Sequence, residues 1–128
     1  MPPVYTVGKL NKNLFTCITD DIVTDEVIIT ENQMKHILER HPDSFEDAIQ
    51  SLESAVTSPD YIFKDRNRNS ALLIKKLPDS DEYVQIVLRL CTSEEEPDFK
   101  NSIISCWKIS HKRLQNYLRN KTYLYKKE

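Results

Sequence analysis

A change of period at residue 61 constrains this chain more than any other feature of its sequence. Residues 61–64, 70–76, 82–90 and 101–109 are four runs rich in β-branched, aliphatic and aromatic side chains, and polar breakers such as Asp65-Arg-Asn-Arg-Asn69 and Pro78-Asp-Ser-Asp81 separate them. Links shorter than about a dozen residues join antiparallel neighbours, so the runs predict an antiparallel meander. Residues two apart on a strand share a face. Val84, Ile86, Leu88 and Leu90 therefore line one side of the third run, and Tyr83, Gln85, Val87 and Arg89 line the other. If the aliphatic side is the core and takes Leu72, Ile74, Ile104 and Cys106 with it, the far side gathers Lys75, Gln85, Arg89, Ser105 and Trp107. Two cations, an amide, a hydroxyl and an indole without a carboxylate make an anion-receiving surface with a stacking platform. Solvent exposure of an open sheet's outer face accounts for the same residues.

The stretch before the meander has a helical period. Thr30 and Gln33 form Thr-x-x-Gln, the signature of a capping box, and Met34, Ile37, Leu38 and His41 follow the i, i+3, i+4, i+7 rule. Pro42 disfavours helical geometry at His41, which places an imidazole at the helix C-terminus beside Arg40. It is either a partly buried histidine favoured by the helix dipole or a positioned acid or base. A second helix, with Phe45, Ala48, Ile49, Leu52 and Val56 on its apolar face, runs to about residue 57, where Pro59 ends it. Residues 4–10, 14–18 and 27–29 read as β, and the only glycine, Gly8, marks a bulge or a close backbone approach. Ser110 caps a last helix over residues 111–120, with Leu114, Tyr117 and Leu118 on its inner face, and residues 121–128 read as a tail. The expected fold is α+β, with N-terminal β elements and two helices followed by a four-stranded antiparallel sheet and a C-terminal helix. One domain spans residues 1–128: a β extension over 1–29, a helix and sheet core over 30–109, and a basic helix and tail over 110–128.

Hydrophobic content of 39% and charged content of 30% fit a globular domain and argue against general disorder. No apolar run approaches the roughly 20 residues that span a bilayer. The first residues lack a basic flank followed by an apolar core, so a cytoplasmic location and no membrane contact are expected. Cys17, Cys91 and Cys106 lack metal-site spacing and read as small core residues, with no metal and no cofactor expected. The net charge of −2 is unevenly spread, because residues 108–128 carry seven Lys or Arg and one Glu. That basic segment holds Lys112 and Arg113 and is interleaved with Tyr117, Tyr123 and Tyr125, as a phosphate-tracking surface would be. Solvated basic helices share the same composition.

A set of motifs then follows in order: Ile28-Ile-Thr-Glu, His36-Ile, Arg40-His-Pro42, Pro59-Asp-Tyr-Ile, Asn69-Ser-Ala-Leu-Leu-Ile-Lys75, Val87-Leu-Arg-Leu90, Asn101-Ser-Ile-Ile-Ser105 and Arg119-Asn-Lys. Their order and spacing, from Gly8 to Lys126, resemble the phage-borne branch of the barnase, EndoU, colicin and RelE-like nuclease superfamily. Relatives tend to carry threonine where Ser70 and Ser105 stand here, an exchange that keeps the hydroxyl. The resemblance implies helices followed by a four-stranded antiparallel sheet. It also implies a toxin-like, phage or mobile-element associated ribonuclease with RNA as substrate; an inhibitor protein is a partner the same basic face could take.

Metal-free RNA cleavage needs a base for the 2′-hydroxyl proton, an acid for the 5′-oxygen leaving group, and cations for the phosphorus oxygens. On this reading His41 transfers the proton, Lys75 and Arg89 hold the phosphate, and Ser105 orients it. His36 is the alternative proton carrier and, with Arg40, Gln85, Trp107, Lys112 and Arg113, a substrate contact. A non-catalytic module that binds RNA or protein on the same basic face is the rival. A metal-using DNA nuclease needs clustered carboxylates, and Glu94-Glu-Glu96 reads as a solvated charge patch. Residues 61–64 read as an unpaired sheet edge open to a second copy in a homodimer.

Overall fold

The computed structural model describes residues 3–96 and 98–128. Strands β1 (Val4–Lys9) and β2 (Glu26–Thr30) form an antiparallel pair whose register slips between Thr6 and Gly8. Gly8 has φ +156°, and a Cβ there would lie 3.3 Å from Glu53 Cγ. Bulge and close approach therefore coincide at the one glycine. Between the strands, residues 14–18, expected as β, form instead the end of a 3-10 helix, Lys12–Cys17, and the turn that follows it. The reason is local: Asn11 caps the Asn13 N–H at 3.0 Å, and the Thr16 hydroxyl donates back to the Asn13 carbonyl at 3.0 Å. Phe15 anchors the turn in the core.

Thr30 starts α1 (Glu31–Arg40), its Oγ1 accepting from the Gln33 N–H at 3.1 Å. Ile37 is buried, but Leu38, expected inside, is 47% exposed. The single helix expected over 45–57 is two, α2 (Phe45–Gln50) and α3 (Leu52–Thr57). Ser51 breaks it, because its hydroxyl donates to the Asp47 carbonyl at 2.9 Å while its N–H turns to Ala48 at 3.2 Å. The apolar stripe survives the break, with Ala48, Leu52, Ala55 and Val56 all buried.

Strands β3 (Tyr61–Lys64), β4 (Ser70–Lys76), β5 (Tyr83–Arg89) and β6 (Asn101–Ile109) form the expected antiparallel meander. The sheet nevertheless has seven strands, in the order β1-β2-β6-β5-β4-β3-β7. β2 joins parallel to β6 through Val27↔Asn101 and Ile28↔Ser102. After α4 (His111–Asn120), β7 (Tyr123–Lys126) returns antiparallel to β3. The edge expected to be free at residues 61–64 is thus occupied by residues read as a tail. Asn101 secures the short parallel junction. Fully buried, it accepts the Cys91 N–H at 2.7 Å and donates to the Thr24 and Glu26 carbonyls at 2.7 and 2.9 Å.

Both faces of the sheet are covered, and this overturns part of the expected alternation. Ala71, Leu73, Val84, Ile86, Leu88, Ile103 and Cys106 face the α1–α3 layer. Leu72 and Ile74, expected beside Val84 and Ile86, point the other way and pack with Phe63, Ile109 and Leu114 of α4. Four successive apolar residues, 71–74, leave alternation without a phase when both sides are buried. In β6 a register shift opposite Val87 and Leu88 puts Ile103, not Ile104, in the core row.

Two outcomes test this packing. Asn101→Ala strands a buried N–H and two carbonyls, so urea denaturation should show a loss of about 2–4 kcal/mol; a loss under about 0.5 kcal/mol would mean the junction does not need the amide. Leu114→Ala should cost about 2–5 kcal/mol, as a core deletion does. A near-zero cost would mean that α4 does not seal the second face.

Candidate active site

His41 ends α1. Its N–H donates to the Ile37 carbonyl at 2.8 Å, its own carbonyl accepts from Ser44 at 3.1 Å, and φ −136°, ψ 59° takes it out of the helix ahead of Pro42. α1 packs along β6, and the half-buried imidazole stacks on Trp107 with ring centroids 5.2 Å apart and planes at 20°. Trp107 lies directly opposite Gln85, Ser105 opposite Val87, and Arg89 opposite both Ser102 and Ser70. Cross-strand partners share a face, so the imidazole reaches the side of the sheet that carries Trp107, Gln85, Ser105 and Arg89. Along β5, Gln85, Val87 and Arg89 follow one another on that face at intervals of about 7 Å.

Gln85 is 3% exposed, and its Oε1 has no hydrogen-bond partner among the described residues. A buried acceptor without a donor is uncommon and calls for one. Arg89 has a half-exposed side chain, but its Nη2 donates to Glu95 Oε1, and the Glu95 carboxylate is 20% exposed. The face expected to lack carboxylates therefore receives one from the β5–β6 loop. Glu94 pairs with Arg68 at 2.8 Å, so two members of the acidic run are engaged and not simply solvated.

Lys75 does not join this group. In register with Val84, it lies on the helical side, where its Nζ donates to the Ser58 carbonyl at 2.8 Å and faces Asp60 Oδ1 at 3.7 Å. It ties the end of α3 to β4; the one-residue difference in strand phase removes it from the face of Arg89. His36 and Arg40 are exposed on α1, and five residues of helix put His36 about 140° round the axis from the His41 position. Lys112 and Arg113 are exposed on α4. Lys112 is about 200° from the inward Leu114, and Arg113 leans on Tyr117, with its Nε 3.3 Å from the phenol oxygen.

One histidine escaped the sequence reading. His111, the first residue of α4, stacks on Tyr83 at 6.1 Å, with its Nδ1 3.5 Å from the phenol oxygen. Only the placement of α4 over the sheet reveals that contact, since the two residues belong to segments with no shared motif. Of the cysteines, Cys91 and Cys106 are buried and Cys17 is exposed. Burial pushes the Cys106 thiol up to about 12, which leaves it unfit as a nucleophile. Among the described residues no group of three or more His, Cys, Asp or Glu is placed to hold a metal ion, and no helix is long and apolar enough to cross a membrane.

A family model described as phage-Barnase-EndoU-ColicinE5/D-RelE like nuclease3 matches residues 6–116. No curated protein and no solved structure matches the chain. The matched span runs from β1 into α4 and contains every element that carries His41, Gln85, Arg89, Ser105 and Trp107. The chain belongs to the phage Barnase/EndoU/ColicinE5/RelE-like nuclease family PBECR3.

Proposed function

We propose that the protein is an endoribonuclease that cleaves single-stranded RNA by attack of the 2′-hydroxyl on the adjacent phosphorus. The observation that carries the reading is the His41 imidazole, stacked on Trp107 at the edge of a face that also bears Gln85, Ser105 and Arg89. His41 takes the 2′-hydroxyl proton while the P–O2′ bond forms and the P–O5′ bond breaks. The 5′-oxygen leaves with a proton taken from solvent water, and the product ends in a 2′,3′-cyclic phosphate. Trp107 holds the imidazole in orientation. Ser105 donates a hydrogen bond to a phosphate oxygen. Arg89, two strand steps beyond Gln85, exchanges Glu95 for the phosphate of a neighbouring nucleotide and holds the strand in place.

The Arg89–Glu95 pair favours a second reading, a binding module in which the guanidinium is already satisfied and His41 only packs. The two part on one experiment. Labelled RNA incubated with pure protein in EDTA should yield cyclic phosphate ends, and His41→Ala should slow cleavage by about 10²–10⁴-fold. Undiminished cleavage by the Ala variant would remove His41 from the mechanism, and salt-sensitive binding without products would favour the module. Glu95→Gln should release Arg89 to the substrate. The slope of log affinity against log salt then steepens by about 0.7, as one more phosphate contact requires; an unchanged slope would mean that Arg89 does not meet the backbone.

A further inference from the structure

A cavity of about 460 Å³ opens beside the Gln85–Trp107 pair, towards β3 and β7, lined by Asp60, Tyr61, Lys75, Lys76, Tyr83 and Lys127 among others. Its volume lies in the range of about 300–1,000 Å³ usual for small-ligand sites. The single carboxylate is already engaged. Asp60 faces the Lys75 ammonium at 3.7 Å and accepts the Lys76 N–H at 2.7 Å. Lys127 Nζ donates to the Ser58 hydroxyl at 2.6 Å, a neutral partner, and Lys76 Nζ has no partner among the described residues. Lys76 and Lys127 therefore face the cavity outside the Lys75–Asp60 pair, with the Asp81 carboxylate near enough to act on Tyr83. Tyr61 and Tyr83 supply the aromatic walls. Tyr83 is backed by His111, and Tyr61 meets Tyr123 edge-on at 5.7 Å. Burial, followed by the neighbouring Tyr61, Asp60 and Asp81, raises the Tyr83 pKa, so its phenol stays a neutral donor.

We propose that this cavity receives one nucleotide of a single-stranded RNA, its phosphate between the Lys76 and Lys127 ammonium groups and its base against the tyrosine rings. Cations beside exposed aromatic rings are the combination that holds single strands without reading their sequence. Position supports the assignment. Tyr83 follows Gln85 on the same face of β5, about 7 Å along the strand. An RNA strand passing His41 and Trp107 therefore meets the cavity next. The inference rests on RNA being the ligand of the His41 face, and it makes the cavity a flanking subsite of that same path.

The test uses full-length protein carrying His41→Ala, so that RNA survives, and follows the anisotropy of a short labelled single-stranded RNA at several salt concentrations. Lys76→Gln with Lys127→Gln should weaken binding roughly tenfold and flatten the slope of log affinity against log salt by about 1.4, two phosphate contacts' worth. Lys9→Glu, on β1 at the opposite edge of the sheet, serves as the control for net charge and should change affinity less than about twofold. A paired variant no weaker than the control overturns the subsite. If wild-type protein cleaves RNA and the pair has no effect, the subsite alone falls. If the pair weakens binding and wild type never cleaves, the subsite stands and the catalytic reading falls.

Discussion

One buried amide decides where the imidazole goes. The parallel contact between β2 and β6 is two rungs long, and Asn101 binds it to the Thr24 and Glu26 carbonyls on one side and to the Cys91 N–H on the other. This sets the level at which β2 meets β6, with Ile28 beside Ser102. The chain turns into α1 after Thr30, and ten helical residues advance about 15 Å. α1 packs along β6, and at its end His41 lies against the indole on which it stacks. An Asn-Ser dipeptide far along the chain thereby positions a side chain contributed by the first helix.

The parts of this arrangement that depend on local chemistry were legible in the sequence. Thr30 and Ser110 both accept the N–H three residues on, His41 sits where Pro42 ends the helix, and the four runs after residue 60 pair as a meander. The parts that depend on distant partners were not. The phase of β4 was unreadable because α4 buries the side that an open sheet would leave polar, so Leu72 and Leu73 are equally apolar yet face opposite ways. Lys75 was misplaced for that reason alone. The strand at residues 123–126 carries Lys and Tyr instead of an aliphatic run, and only pairing to β3 makes it a strand. Glu95 looked like one of three equivalent loop carboxylates until the loop closed on Arg89.

The basic C-terminal segment shows how far a charge count can mislead about a surface. Lys108 points to the helical side, where it donates to Asp47 at 3.0 Å and faces Glu82 at 3.5 Å. The Asp47 hydrogen bond, more than any other neighbour, holds its pKa above the ordinary lysine value. Arg113 and Lys121 lie over the Tyr117 ring at 5.6 and 5.0 Å. Lys127 reaches across to Ser58. These cations are distributed around the sheet, and those left for an anionic strand are set by hydrogen bonding more than by number. The stacked imidazole and the unpartnered Gln85 acceptor then lie on one face of the sheet.

The central claim is that RNA lies on that face with His41 against its sugar and phosphate. Heteronuclear NMR of the imidazole and side-chain amide signals, titrated with an oligonucleotide whose attacking 2′-hydroxyl is replaced by hydrogen, tests this most directly. The account predicts that the His41 ring, the Trp107 indole N–H and the Gln85 amide shift together and saturate at one concentration. Shifts confined to the α2–α3 side, with His41 and Gln85 unmoved at saturation, would contradict it.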